Sequence, residues 1–148
     1  MRRRYGRGRR VTVRVLVLCT GNSCRSQMAE GWLRSMGGDA VEVRSAGLEA
    51  HGQNPRALAV MGEAGVDISR QPSSVVNDED IAWAETVITV CGHADEHCPV
   101  LPPTVRRLHW PLQDPVKAKG DEAQIMAEFR RVRDDIRDRV RSFLANQS

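Results

Sequence analysis

Three observations predict an α/β fold for this chain of 148 residues. Strand-like and helix-like segments alternate along it, the first strand-like run is almost unbroken in its apolar character, and that run ends in a polar, glycine-containing turn before a helical pattern begins. Together they predict a single three-layer domain with a four-stranded parallel sheet flanked by helices. A chain of this length buries roughly 68–70% of its unfolded surface, so its core needs no disulfide or structural metal.

Val11–Leu18 is rich in β-branched residues and reads as a central strand covered on both faces. It stops at CTGNSCRS. From Ser26, Met28, Ala29, Trp32, Leu33 and Met36 recur at helical spacing, and Gly37-Gly38 closes the helix. Val41–Ser45 reads as a second strand. Asn54-Pro55 supplies a cap and a first-turn proline for a helix to about Gly65. A brief helix is expected within the polar stretch Gln71–Asp80, then strands at Thr86–Val90 and Val105–Trp110 with a Cys/His-rich loop between them. The last segment, Asp121 to about Leu144, places Ile125, Phe129, Val132, Ile136, Val140 and Phe143 on one stripe. Asp135/Arg139, Asp134/Arg137 and Asp138/Arg141 are spaced to pair on its outer side. It is a packing helix.

Of the 22 Lys and Arg, six are arginines within residues 1–10, and 19 Asp and Glu offset the total to a net charge of +3. Without that leader the balance turns negative, so the charge does not predict a nucleic-acid-binding surface. Residues 1–10 are expected to be a disordered Arg-rich leader, with residues 11–148 forming the domain. Arg14 interrupts the apolar run that a signal peptide would need, and no window approaches the ~20 apolar residues of a membrane span. A cytoplasmic protein is expected, with no membrane partner. In a reducing compartment its four cysteines point to chemistry or metal rather than structural disulfides.

The turn Cys19-Thr20-Gly21-Asn22-Ser23-Cys24-Arg25-Ser26 is set between a buried strand and a helix N-terminus, where backbone N–H groups point inward at the positive end of the helix dipole. That is a cradle for a tetrahedral oxyanion, and Arg25 can grip two of its oxygens. The same field favours the thiolate of Cys19, the activated-nucleophile arrangement, with Ser23 and Ser26 as hydroxyl donors to the sulfur. Cys24, inside the turn, is read as structural.

Nucleophilic attack that expels an oxygen needs a proton donor. Asp114, in the loop Asp114-Pro115, would have its proton held by repulsion from a bound oxyanion. The stretch Cys91-Gly-His-Ala-Asp-Glu-His-Cys98 has two readings. Cys91, His93, His97 and Cys98 are each zinc-ligand types, though without the usual paired spacing. As a redox pair, Cys91 and Cys98 on a helix would stand about 10 Å apart along the axis, beyond the ~4.4–6.8 Å a disulfide tolerates, so bridging them unwinds the segment.

The run CTGNSCRSQMAEGW at 19–32, SAG at 45–47, Asn54-Pro55, the Cys91/Cys98 pair, Leu101-Pro-Pro and Asp114-Pro115 resemble the thioredoxin-coupled arsenate reductases, built on the low-molecular-weight protein tyrosine phosphatase fold. The resemblance covers nearly the whole chain from Val15. It implies that Cys19 attacks arsenate held by the loop and Arg25, while Asp114 protonates the departing oxygen. It further implies a Cys19–Cys91 disulfide as arsenite leaves, then a Cys91–Cys98 disulfide reduced through a transient mixed disulfide with thioredoxin. A monomer is expected.

Some members of the resembled family bind potassium behind the loop through groups matching Asn22, Glu30 and Ser45 and a carboxylate whose place Ser74 takes here. With Ser74 there, Asn22 is expected to brace the loop by hydrogen bonds, and no cofactor is assigned. The competing readings are a low-molecular-weight protein tyrosine phosphatase and a thiol-based metal- or arsenic-binding protein.

Overall fold

A computed structural model describes residues 12–147. The expected leader therefore lies outside the described residues. Strand β1 spans Val13–Cys19 and helix α1 Arg25–Gly37; β2 spans Val41–Gly47, α2 Pro55–Glu63 and α3 Asp78–Trp83. Then come β3 (Thr86–Thr89), α4 (Gly92–Glu96), β4 (Arg106–His109) and α5 (Glu122–Ala145). The four strands form one parallel sheet in the order β2-β1-β3-β4.

This order puts the site at a reversal. From β1 the chain crosses to β2 on one side and later returns to β3 on the other, leaving a crevice at the carboxyl ends of β1 and β3. Cys19 ends β1, and Cys91 follows β3 by two residues. Topology alone thus brings together two thiols that are 72 positions apart in sequence.

Burial explains why β1 reads as it does: Val15 to Leu18 have no exposed surface, and their sheet neighbours β2 and β3 lie on both sides. Helices α1, α2 and α5 pack on one another, and α5 turns Phe129, Val132, Ile136, Val140 and Phe143 inward. Trp110 meets Phe143 edge to face at 6.3 Å. The indole of Trp32 donates to the Arg133 carbonyl at 3.1 Å, tying α1 to α5. On the outside, Asp135/Arg139, Asp134/Arg137 and Asp138/Arg141 pair as their spacing predicts.

Several boundaries differ from the sequence expectation for local reasons. Strand β2 runs to Gly47 rather than Ser45 because Gly47 pairs with Cys19; a Cβ there would lie 2.3 Å from the Glu49 carbonyl and 2.8 Å from the Asn22 nitrogen. Helix α3 begins only at Asp78, where Asn77 and Asp80 form a reciprocal cap, and the residues before it are extended, with Val75 bridging to Gly47. Strand β4 is shorter than expected, since Val105 closes a turn onto the Pro102 carbonyl. Among the described residues, no helix is long and apolar enough to cross a membrane.

Candidate active site

The loop after β1 closes around the Cys19 sulfur. The Asn22 N–H donates to Sγ at 3.2 Å, and Ser26 Oγ lies 2.8 Å from it. Ser23, expected as a second hydroxyl donor, has no such hydrogen bond among the described residues; the Asn22 amide takes that part because the loop curls its backbone over the sulfur. Asn22 is buried, and with φ at 48° it is the one non-glycine residue of positive φ among those described. Such a conformation costs on the order of 1–3 kcal/mol and persists where surrounding contacts fix it. Here the side-chain amide does so, donating to Ser26 and Ser45 hydroxyls at 2.9 Å each while Oδ1 accepts the Ser74 N–H at 2.8 Å.

Helix α1 starts at Arg25 without any side-chain cap and with no acid in its first turn. Its leading N–H groups therefore have no capping side chain as partner. The Arg25 guanidinium is anchored through one nitrogen to the Leu112 carbonyl at 3.1 Å, while the other stands 3.7 Å from Asp114 Oδ2. Both side chains line a cleft of about 510 Å³ with Cys19, Cys24 and Cys91. Asp114 accepts the Val116 N–H at 3.1 Å through its other oxygen, so the Asp-Pro turn itself aims the carboxyl. Cys24 is different in kind. Burial, with the nearby Asp114 charge adding to it, pushes its thiol up to about 12, which leaves it protonated and unreactive at neutral pH.

Across the cleft, Cys91 caps α4 and its sulfur accepts the Ala94 N–H at 3.4 Å. The Thr20 hydroxyl lies 3.3 Å from the same sulfur. Helix α4 has only five residues, and Cys98 sits two positions beyond its end, half-buried. All four cysteines are free thiols. Burial raises the Cys98 thiol above its ordinary value, with the Arg107 charge opposing that rise. Arg107 also grips α4, donating to the Asp95 carbonyl at 2.6 Å and to its carboxylate at 3.0 Å. Thr89 donates to the same carboxylate at 3.1 Å. As for the zinc reading, no three His, Cys, Asp or Glu side chains among the described residues converge as a metal site would require.

The positions that resemble a cation site are already engaged with one another. Glu30 Oε1 accepts the Ser45 hydroxyl at 2.5 Å, and Oε2 is paired with the Arg34 guanidinium. Ser45 Oγ in turn accepts from Asn22, and Ser74 contributes its backbone N–H rather than an oxygen. The oxygens of Asn22, Glu30 and Ser45 thus each have a partner within the protein.

Comparison with known proteins agrees with this architecture. Residues 14–148 match the low molecular weight phosphotyrosine protein phosphatase family. The chain belongs to that family. Within it, an arsenate reductase of Bacillus licheniformis is 52% identical over 129 residues, which cover 87% of this chain and 93% of that protein. A solved arsenate reductase in its phosphate-binding state superposes with a TM-score of 0.75 at 36% identity, covering 93% of this chain and all of the other. A thioredoxin-dependent arsenate reductase of Corynebacterium glutamicum superposes at 0.68 with 31% identity, covering 96% of this chain and 67% of that one.

The sequence reading singled out the residues of this phosphatase-family loop, Arg25, Asp114 and the thiols, and the fold places Cys19, Arg25, Asp114 and Cys91 on one cleft. It missed three kinds of participant. Thr20 was read only as part of the anion loop, and its contact with Cys91 depends on the β1/β3 neighbourhood. Gln27 and Gln71, both buried, bond each other, and Gln27 also holds the Asn22 carbonyl at 3.2 Å. His51 lines the cleft beside Gly21. Gln27, set beside the apolar positions Met28 and Ala29 of α1, was the available signal for the second group; Gln71 lies outside any helix and offered none.

Proposed function

We propose that the chain reduces arsenate to arsenite through Cys19, Cys91 and Cys98, with reduced thioredoxin as the electron donor, as an arsenic-detoxifying enzyme of the cytoplasm. The observation that carries this reading is the second thiol: Cys91 opens on the same cleft as Cys19, and Thr20 adjoins both. A phosphatase needs only the loop, Arg25 and a proton donor, because water resolves its adduct.

In the first step, the Cys19 sulfur bonds to arsenic while one As–O bond breaks. The departing oxygen leaves as water with the proton of Asp114, and Arg25 and the loop amides hold the remaining oxygens. Cys91 then attacks the Cys19 sulfur as a thiolate. A sulfur–sulfur bond forms, the As–S bond breaks, and its electron pair stays on arsenic, which departs as arsenite; two thiols have been oxidised and As(V) has become As(III). Thr20 and the Ala94 N–H suit this step, since both can donate to a Cys91 thiolate.

Cys98 attacks Cys91 next, freeing Cys19 and moving the disulfide to the Cys91–Cys98 pair. Helix α4 separates these two residues, so the step requires Gly92–Glu96 to unwind and the Arg107–Asp95 clasp to release. Thioredoxin, by thiol–disulfide exchange, returns both thiols to the reduced state. Arsenate-dependent NADPH oxidation in the presence of thioredoxin and thioredoxin reductase tests the reading, with 4-nitrophenyl phosphate hydrolysis measured on the same reduced protein. Sustained oxidation that needs arsenate and all three proteins is expected. Vigorous ester hydrolysis with no arsenate-dependent oxidation would make the chain a phosphatase.

A further inference from the structure

Behind the oxyanion loop, a polar network runs from the surface of α1 to Asn22. We propose that Arg34 is a positioning residue for this loop, supplying from within the chain the positive charge that a bound cation would otherwise bring beneath it.

Two routes lead from Arg34 to Asn22. In the first, the guanidinium pairs with Glu30, whose side chain is only 5% exposed. Glu30 accepts the single proton of Ser45 at 2.5 Å, which leaves the Ser45 oxygen open to the Asn22 side-chain amide. That amide gives its other proton to Ser26, and the Ser26 proton is then free for the Cys19 sulfur, 2.8 Å away. Every donor in the series is assigned with Glu30 as the terminal acceptor. The Arg34 guanidinium, which can only donate and is always charged, faces that acceptor from the other side.

In the second route, Arg34 donates to Gln71 Oε1 at 2.7 Å. The Gln71 amide nitrogen donates to both Gln27 oxygens at 2.9 Å, and Gln27 donates to the Asn22 carbonyl at 3.2 Å. Both routes therefore end on the residue whose left-handed backbone aims an N–H at Cys19. A buried carboxylate requires a positive partner, and Arg34 is the guanidinium paired with Glu30. The side chain of Arg34 is 53% exposed, so replacing it opens no core cavity.

The proposal concerns the loop whichever oxyanion it processes, so inorganic phosphate is the probe, titrated calorimetrically into the reduced full chain in potassium chloride or choline chloride of equal ionic strength. The wild-type affinity is expected to be the same in both salts. Arg34→Met should weaken phosphate binding about tenfold or more in choline chloride. Arg34→Lys should restore it, and potassium should recover part of the loss in Arg34→Met. Wild-type binding that requires potassium would overturn the proposal. So would Arg34→Met binding like wild type, or a loss that neither Arg34→Lys nor potassium repairs. Circular dichroism of each variant checks that the fold is kept.

Discussion

The hydroxyl of Thr20 lies 3.3 Å from the sulfur of Cys91, so the residue following the first thiol on the oxyanion loop touches the second thiol. The contact crosses from the end of β1 to the end of β3. It joins the loop proposed to form the adduct to the thiol proposed to resolve it.

Thr20→Val keeps the shape and removes that donor. Arsenate turnover is expected to fall about tenfold, the worth of one hydrogen bond to a charged sulfur. Hydrolysis of 4-nitrophenyl phosphate, which does not use Cys91, should stay near wild type. Equal losses in both assays would place Thr20 in oxyanion binding instead.

Asp114→Asn removes the proposed proton donor while preserving the turn that aims it. Formation of the Cys19 adduct, followed by rapid-quench kinetics, should slow about a hundredfold or more. Phosphate affinity should hold or improve, because a carboxylate beside a bound dianion repels it. A variant that reacts at the wild-type rate would remove Asp114 from the chemistry.

Cys24 shares the loop yet is expected to be a bystander. Its thiol, pushed up to about 12 mainly by burial, supplies no thiolate at neutral pH. Cys24→Ala should retain turnover, and iodoacetamide at pH 7 should spare Cys24 in the native wild type, as read by mass spectrometry. Rapid labelling of Cys24 would contradict this environment.

Glu63 clasps α2 to α5: Arg130 binds it through two nitrogens at 2.9 and 2.8 Å, and Arg133 adds a third contact at 3.1 Å. These hydrogen bonds, that of Arg130 foremost, hold its carboxyl down at about 2. A carboxyl lowered on folding contributes stability above its unfolded value and loses it as pH falls through the folded one. Glu63→Gln should therefore be less stable than wild type at pH 7, and the gap should narrow between about pH 4.5 and pH 2. Urea denaturation at both ends of that window checks it; a gap that widens on acidification would refute the assignment.

The fold was legible because its signals are local. A continuous apolar β1, the Asn54-Pro55 start of α2 and the single stripe of α5 each specify their element from neighbouring residues. The loop was legible for the same reason, since Cys19 to Ser26 is one uninterrupted segment. What escaped is long-range. Thr20 meets Cys91 only because β3 lies beside β1, and the Arg34–Gln71–Gln27 chain joins α1 to a residue 37 positions further on. No spacing rule connects such partners. Ser23 and Ser26 look alike in sequence, and only the curl of the loop decides that Ser26 reaches the sulfur.

The most direct test of the thiol relay is a single-turnover experiment with Cys98→Ser. The variant retains Cys19 and Cys91 and lacks the thiol that would resolve their disulfide. Incubated with arsenate, it should release about one arsenite per enzyme and then stop, with a Cys19–Cys91 disulfide found by peptide mapping. Repeated turnovers with thioredoxin as the sole reductant, or arsenite released without that disulfide, would contradict the relay.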